Sequence, residues 1–195
     1  MTRASANPTP TEARAASSRS PAGAEEVGRS YFAALAARDA KAAAGHYAAE
    51  GVDDRVPLGI FRGPDEIGAF WREAFAAAPD LETVVRALAG DDQTVAVQWR
   101  STATFAGAAS FQGIEPTGKR VELRGVDWIE VEDGKIRRNT GYWDGAAFAR
   151  DIGMMPARGS AAEKAMIVTF NAASRLRHTS AAEKLRQALR GKLDR

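Results

Sequence analysis

The side chain best placed to do chemistry is a carboxylate set in an apolar row. Alternate residues from Val121 to Val131 read Val121, Leu123, Gly125, Asp127, Ile129 and Val131, and a strand turns alternate residues to one face. A carboxylate on a core-facing strand is costly unless it is hydrogen-bonded, paired or protonated, and groups held in that way tend to be functional. With no strong cation readable beside it, Asp127 is expected to keep its proton above the ordinary aspartate value of about 3.9, because desolvation penalises the charged form. It could then donate a hydrogen bond to a developing oxyanion. The alternative is a structural carboxylate satisfied by neighbouring backbone or by Arg124. A second candidate is His46, whose imidazole could move protons near neutral pH, set against an ordinary histidine with no readable orienting partner. The only other histidine is His178, and there is no cysteine. Thiolate chemistry and disulfides are therefore excluded, a multi-histidine metal site is not expected, and no metal or cofactor is called for.

The elements that must position these groups follow from periodicity. Val27, Tyr31, Ala34 and Leu35 recur at helical spacing from Ala24 onward, and a second helix is expected from Asp39 through Tyr47. Val52 to Pro57 reads as a short strand. Pro64, Asp65 and Glu66 open a third helix, with proline fitting the first turn and the acids facing the positive end of the dipole. Ile67, Phe70, Trp71, Ala74 and Phe75 form its apolar stripe. Beyond Pro79 the period becomes two: Val95, Val97, Trp99, Ser101, Ala103 and Phe105 alternate with polar neighbours. A strand over Arg120 to Glu132, a turn at Asp133-Gly134 and a returning strand from Lys135 to Asp144 follow. Helices before a curved antiparallel sheet make an α+β order.

With 195 residues, 45% of them hydrophobic, and a net charge of +2, there is material for one globular domain with a sizeable core. Residues 1–23 are rich in Ala, Ser, Thr and Pro and read as a disordered tail, residues 24–156 as the domain, and residues 157–195 as a helical extension. Ser160-Ala-Ala-Glu163 and Ser180-Ala-Ala-Glu183 each have the spacing of a capping box, so two helix starts are expected there. The second ends in Arg186, Arg190, Lys192 and Arg195, read as a solvated face rather than a nucleic-acid grip. No apolar run approaches a membrane span, and a cytoplasmic protein is expected.

Five segments carry a family likeness: YFAALAARD (Tyr31 to Asp39), FRGPDEIGAFW (Phe61 to Trp71), PTGKRVELRGVDW (Pro116 to Trp128), DGKI (Asp133 to Ile136) and YWDGAAFARDIGMMP (Tyr142 to Pro156). With these, residues 25–156 resemble the SnoaL-like branch of the nuclear transport factor 2 superfamily. The resemblance implies a cone-shaped, curved antiparallel sheet packed on three N-terminal helices, and a homodimer formed through the outer sheet face. In ketosteroid isomerases the position matching Asp127 carries the aspartic acid of the oxyanion hole, and Tyr31, in its spacing to Asp39, matches the isomerase tyrosine. Plain aromatic core is the alternative for Tyr31. The isomerase base has no single match in the first strand, where alignment gives Arg55, Val56 or Asp54. Asp53 and Asp54 are candidates against a solvated acidic turn, and Asp54 is carried forward.

Two family groups are missing. The aspartate that polyketide cyclases and limonene epoxide hydrolases carry on the last strand is Gly141 here, and the Arg-x-Asp pair of the hydrolases has Gly125 in place of its arginine. A three-residue loop at Asp133-Gly134 sends Asn139, Gly141 and Trp143 inward; a two-residue loop sends Thr140, Tyr142 and Asp144 inward instead. The resemblance selects the first, and Asp144 is kept as a reserve acid, set against its reading as the cap of a helix starting at Gly145. The resulting expectation is a cofactor-independent cyclase or isomerase acting on a carbonyl or enol of a small hydrophobic molecule. Asp127 and Tyr31 would hold the oxygen, Asp54 or His46 would act as base, and Asn139, Trp143, Trp71, Phe75 and Trp99 would bind the ligand. The alternatives are a non-catalytic ligand-binding or assembly protein and an epoxide hydrolase.

Overall fold

The computed structural model describes residues 23–193, with side chains as far as residue 178; the expected N-terminal tail lies outside the described residues except for Gly23, which precedes the first helix. Among the described residues three helices come before residue 80, as the periodicity requires. Helix α1 (Ala24–Ala36) buries Val27, Tyr31, Phe32 and Leu35 and carries Glu25 and Glu26 in its first turn, where the helix dipole favours them. Helix α2 (Ala40–Ala44) is capped by Asp39, whose carboxylate accepts the Ala42 N–H at 2.9 Å. It stops three residues short of the expected end, and strand β1 (Tyr47–Val56) begins five residues earlier than Val52. The Ala-Ala-Glu-Gly stretch that opens this strand has no alternation to betray it. A register shift against its neighbour falls there, and a Cβ on Gly51 would lie 2.9 Å from two carbonyl oxygens.

Strand β2 (Gly59–Arg62) leads into α3 (Gly63–Ala77), followed by β3 (Glu82–Gly90), β4 (Thr94–Phe105), β5 (Lys119–Glu132) and β6 (Lys135–Trp143). The six strands form one curved sheet in the order β2-β1-β6-β5-β4-β3. Every pair is antiparallel except β1 with β6, which is parallel. That pair departs from the wholly antiparallel expectation because its strands are distant in sequence and no hairpin dictates their direction.

The turn between β5 and β6 resolves the question of facing in an unexpected way. Asp133 and Gly134 both have positive φ, 51° and 72°, and Glu132 pairs with Lys135, so the loop has two residues, the geometry favoured by strand twist. A bulge then follows, because Glu130 pairs with Arg138 while Val131 pairs with Ile136. The extra residue, Arg137, restores the other phase. Ile136 and Asn139 both point inward and are fully buried, and Gly141 faces Asp127. The three-residue loop is thus corrected, while the inward residues it was invoked to explain are the ones observed.

Helix α4 (Gly145–Asp151) is capped by Asp144, which accepts the Ala147 N–H at 2.8 Å. Helix α5 (Ala161–Leu193) starts where the first capping box predicts, with Ser160 Oγ accepting the Glu163 N–H. It does not restart at Ser180. With no Gly or Pro between the two boxes, the helical ladder propagates through the second one. Met166, Ile167 and Phe170 on α5 are exposed. The core lies between α1, α3 and the concave sheet face, with a second cluster of Ala77, Phe105, Val121, Phe148 and Ile152 toward α4.

Candidate active site

The concave face encloses a cavity of about 110 Å³, comparable with an engineered apolar cavity of about 150 Å³ that admits benzene. Its walls are aromatic and aliphatic, with Trp71, Trp99, Trp143, Phe70 and Phe111 prominent. The one charged side chain in the lining is Arg55.

Arg55 reaches this wall because β1 alternates. Asp53 and Arg55, two residues apart, share the inward face, while Asp54 between them faces out. Behind the cavity wall the Arg55 guanidinium is held on three sides. Nε donates to Asp53 Oδ2 and Nη1 to Asp127 Oδ2, both at 2.9 Å, and Nη2 donates to the Tyr31 hydroxyl at 2.5 Å. Its Cζ lies 4.9 Å from the centroid of a Trp71 ring, a cation–π contact. Trp99 Nε1 donates to Asp127 Oδ1 at 2.8 Å. Asn139 Nδ2 donates to Asp127 Oδ2 at 2.8 Å and to Asp53 Oδ1 at 3.2 Å, leaving Asn139 Oδ1 without a donor. Asp53, Asp127 and Asn139 are completely buried.

Space for the guanidinium comes from a missing side chain. A Cβ on Gly141 would stand 2.8 Å from Arg55 Nη1 and 3.0 Å from Asp127 Oδ1. The glycine found where cyclases carry an aspartate is what admits the arginine. The cation beside Asp127 comes from β1 and not from position 125. A larger residue at 125 would in turn strike Trp99, whose ring lies 2.4 Å from the Cβ it would add.

Burial pushes the Asp53 carboxyl up from its ordinary value to about 6; Arg55 opposes the rise and Asp127 reinforces it. Burial alone would lower Arg55, but Asp127 and Asp53 beside it hold it well above the usual value. Burial also raises Tyr31 and Tyr47, with Asp53 adding to both and Arg55 opposing both. The Tyr47 hydroxyl donates to the Tyr31 hydroxyl at 3.3 Å and accepts from Asn139 Nδ2 at 3.3 Å. Two carboxylates with one guanidinium carry a net charge of −1 when both acids are ionised and 0 when Asp53 is protonated. The cluster is therefore built to change charge near neutrality.

The sequence candidates separate into three groups. Asp127, Tyr31 and Asn139 converge on Arg55 but do not line the cavity, and Asp127 has the strong cation that was not readable beside it. Trp71, Trp99 and Trp143 line the cavity, and Phe75 stacks behind Trp71 at 5.6 Å. Asp54 and His46 stand elsewhere. Asp54 accepts from Arg138 Nη2 at 2.6 Å on the outer face, and Asp53 takes the inward position. His46 follows α2 rather than lying on it, with its ring nitrogens 2.8 Å from Ala42 O and Ser30 Oγ. Sequence reasoning missed Arg55 and Tyr47 and passed over Asp53. The available signal was Asp-x-Arg on a strand, which places both charges on one face. Among the described residues no cluster of three or more His, Asp or Glu is arranged to hold a metal, and no helix is long and apolar enough to cross a membrane.

Residues 29–139 match the profile of the SnoaL-like domain. Among solved structures, AclR of Streptomyces galilaeus, a proposed hydroxylase, is similar at 21% identity and a TM-score of 0.59, over 80% of this chain and 94% of that one. A proposed SnoaL-like polyketide cyclase from a Jannaschia species matches at 20% identity and 0.58, over 72% and 99%. A proposed polyketide cyclase of Pseudomonas putida matches at 18% and 0.56, over 66% and 97%. These likenesses establish a shared fold. No curated protein matches the sequence.

Proposed function

The chain belongs to the SnoaL-like domain family, and from that premise we propose that it is a cofactor-independent enzyme of the cyclase and isomerase kind, acting on a carbonyl or enol of a small hydrophobic molecule. The observation that carries the reading is the single guanidinium in the wall of an otherwise apolar cavity, backed by two buried carboxylates. Three of the five N–H groups of Arg55 are committed to Asp53, Asp127 and Tyr31, leaving one on each Nη for a ligand oxygen. A substrate oxygen that becomes negative there is stabilised by a donor already oriented, between apolar walls. Asp53 sets the charge of the cluster: when it holds a proton the guanidinium has one carboxylate fewer to neutralise, and more of its positive charge is available to a substrate oxygen.

Hydrolysis of an epoxide is a second reading, favoured by Arg55 lying between two carboxylates, a set able to donate a proton and to activate water. A test separates these readings from simple binding. α-Hydrogen exchange of 2-tetralone in D2O, followed by NMR, should be accelerated by the wild type and lost in Arg55→Met and Asp53→Asn. Diol formation from styrene oxide without tetralone exchange would support the hydrolase reading. Tetralone binding with neither activity would leave a ligand-binding protein. We also propose a homodimer through the convex sheet face, supported by the exposed Val126, Trp128 and Tyr142; a monomer mass by light scattering at micromolar concentration would refute it.

A further inference from the structure

The cavity contains a second polar spot, distinct from Arg55. The inward row of β4 runs Val95, Val97, Trp99, Ser101, Ala103 and Phe105, and Ser101 is its one hydroxyl. It pairs in register with Thr83 on the edge strand β3, and the two hydroxyl oxygens are 2.8 Å apart. Both residues line the cavity, and Ser101 is 5% exposed. A hydroxyl buried in an apolar wall needs a partner, and each of these has the other. The bond between them uses only one of their two protons, and among the described residues neither hydroxyl has another partner. One O–H and several lone pairs are left for whatever fills the cavity.

The two polar spots are far apart along the sheet. Asp127, which holds the guanidinium, is opposite Val97. Ser101 is four residues farther along β4, which is about 13 Å of strand. Trp99 stands between them, its indole N–H tied to Asp127, so the wall joining the two spots is aromatic.

We infer that Thr83 and Ser101 form a second hydrogen-bonding subsite, and that the ligand is a flat hydrophobic molecule oxygenated at two separated positions, one oxygen meeting Arg55 and the other the hydroxyl pair. This rests on the reading of Arg55 as the oxygen-binding group of the cavity. It narrows the substrate class to dioxygenated, ring-sized skeletons, and it makes Thr83 and Ser101 specificity residues rather than catalytic ones.

Calorimetric titration with two probes, 2-naphthol and 2,6-naphthalenediol, tests the inference. The wild type should bind the diol roughly five- to tenfold more tightly than the mono-alcohol, the worth of one neutral hydrogen bond. Ser101→Ala and Thr83→Val are near-isosteric, and their folding is checked by thermal melting. Each should bring the diol to the affinity of 2-naphthol while leaving 2-naphthol unchanged. Arg55→Met should weaken both probes. If 2-naphthol binds through Arg55 but the diol has no advantage, or keeps it in both hydroxyl variants, the second subsite is refuted and the Arg55 reading stands. If neither probe binds the wild type, both are refuted.

Discussion

The two faces of β1 carry the same chemistry in opposite surroundings. On the convex face Asp54 pairs with Arg138 at 2.6 Å, with side chains 21% and 37% exposed. On the concave face, one residue away, Asp53 pairs with Arg55 at 2.9 Å, with side chains 0% and 5% exposed. The outer pair is screened by water and contributes little whichever way it is built. The inner pair sits in low dielectric with a second carboxylate beside it, so its charge state is coupled to burial, to its neighbours and to anything that enters the cavity. What separates a surface ion pair from a candidate site here is the phase of one strand.

Removing the two arginines in turn should have very different effects. Arg55→Met leaves Asp53 and Asp127 buried without their cation and should cost about 3–5 kcal/mol. Arg138→Met should cost no more than about 1 kcal/mol. Urea denaturation near pH 7 measures both, and equal losses would mean that the inner cluster is not electrostatically special.

Titration sharpens the contrast. Because the native Asp53 carboxyl is raised from 3.8 to about 6, the native protein holds a proton that the unfolded chain has already released between those values. Its contribution to stability is fully present below about pH 4 and is lost as pH rises through 6, a change of about 3 kcal/mol. Asp53→Asn should lack this step while Asp54→Asn retains it. Denaturation curves collected from pH 4 to 7 on the three proteins decide the matter.

A smaller effect is expected at Gly141. Its missing side chain makes room for the guanidinium, so Gly141→Ala should displace Arg55 and cost about 1–3 kcal/mol through overpacking. Thermal melting that leaves this variant unchanged would show the cluster to be looser than its contacts indicate.

Much of this architecture was legible in the sequence. The three helices follow from apolar spacing, and Asp127 stood out as a carboxylate in an apolar strand. What was not legible is what depends on distant chain segments meeting. Arg55 is 72 positions from Asp127, and nothing local in either strand announces their contact. Asp53 and Asp54 could not be told apart while the start of β1 was hidden in an Ala-Ala-Glu-Gly stretch, since phase alone decides which one faces in. The facing of β6 depended on a tight turn and a bulge whose effects on side-chain direction offset each other, and Arg137 has no local signal marking it as the extra residue. The cation that pairs with Asp127 is not found beside it in the sequence, because the fold brings Arg55 to it from β1.

Asp53, held by Arg55 behind the cavity wall, should exchange a proton near pH 6. Carboxyl ¹³C NMR titration of the folded protein tests it, with the Asp53 resonance assigned by its absence in Asp53→Asn. The structure predicts that this resonance titrates at about pH 6 and that its midpoint shifts when Arg55 is replaced by Met. A midpoint at the ordinary aspartate value of about 3.9 would contradict the account.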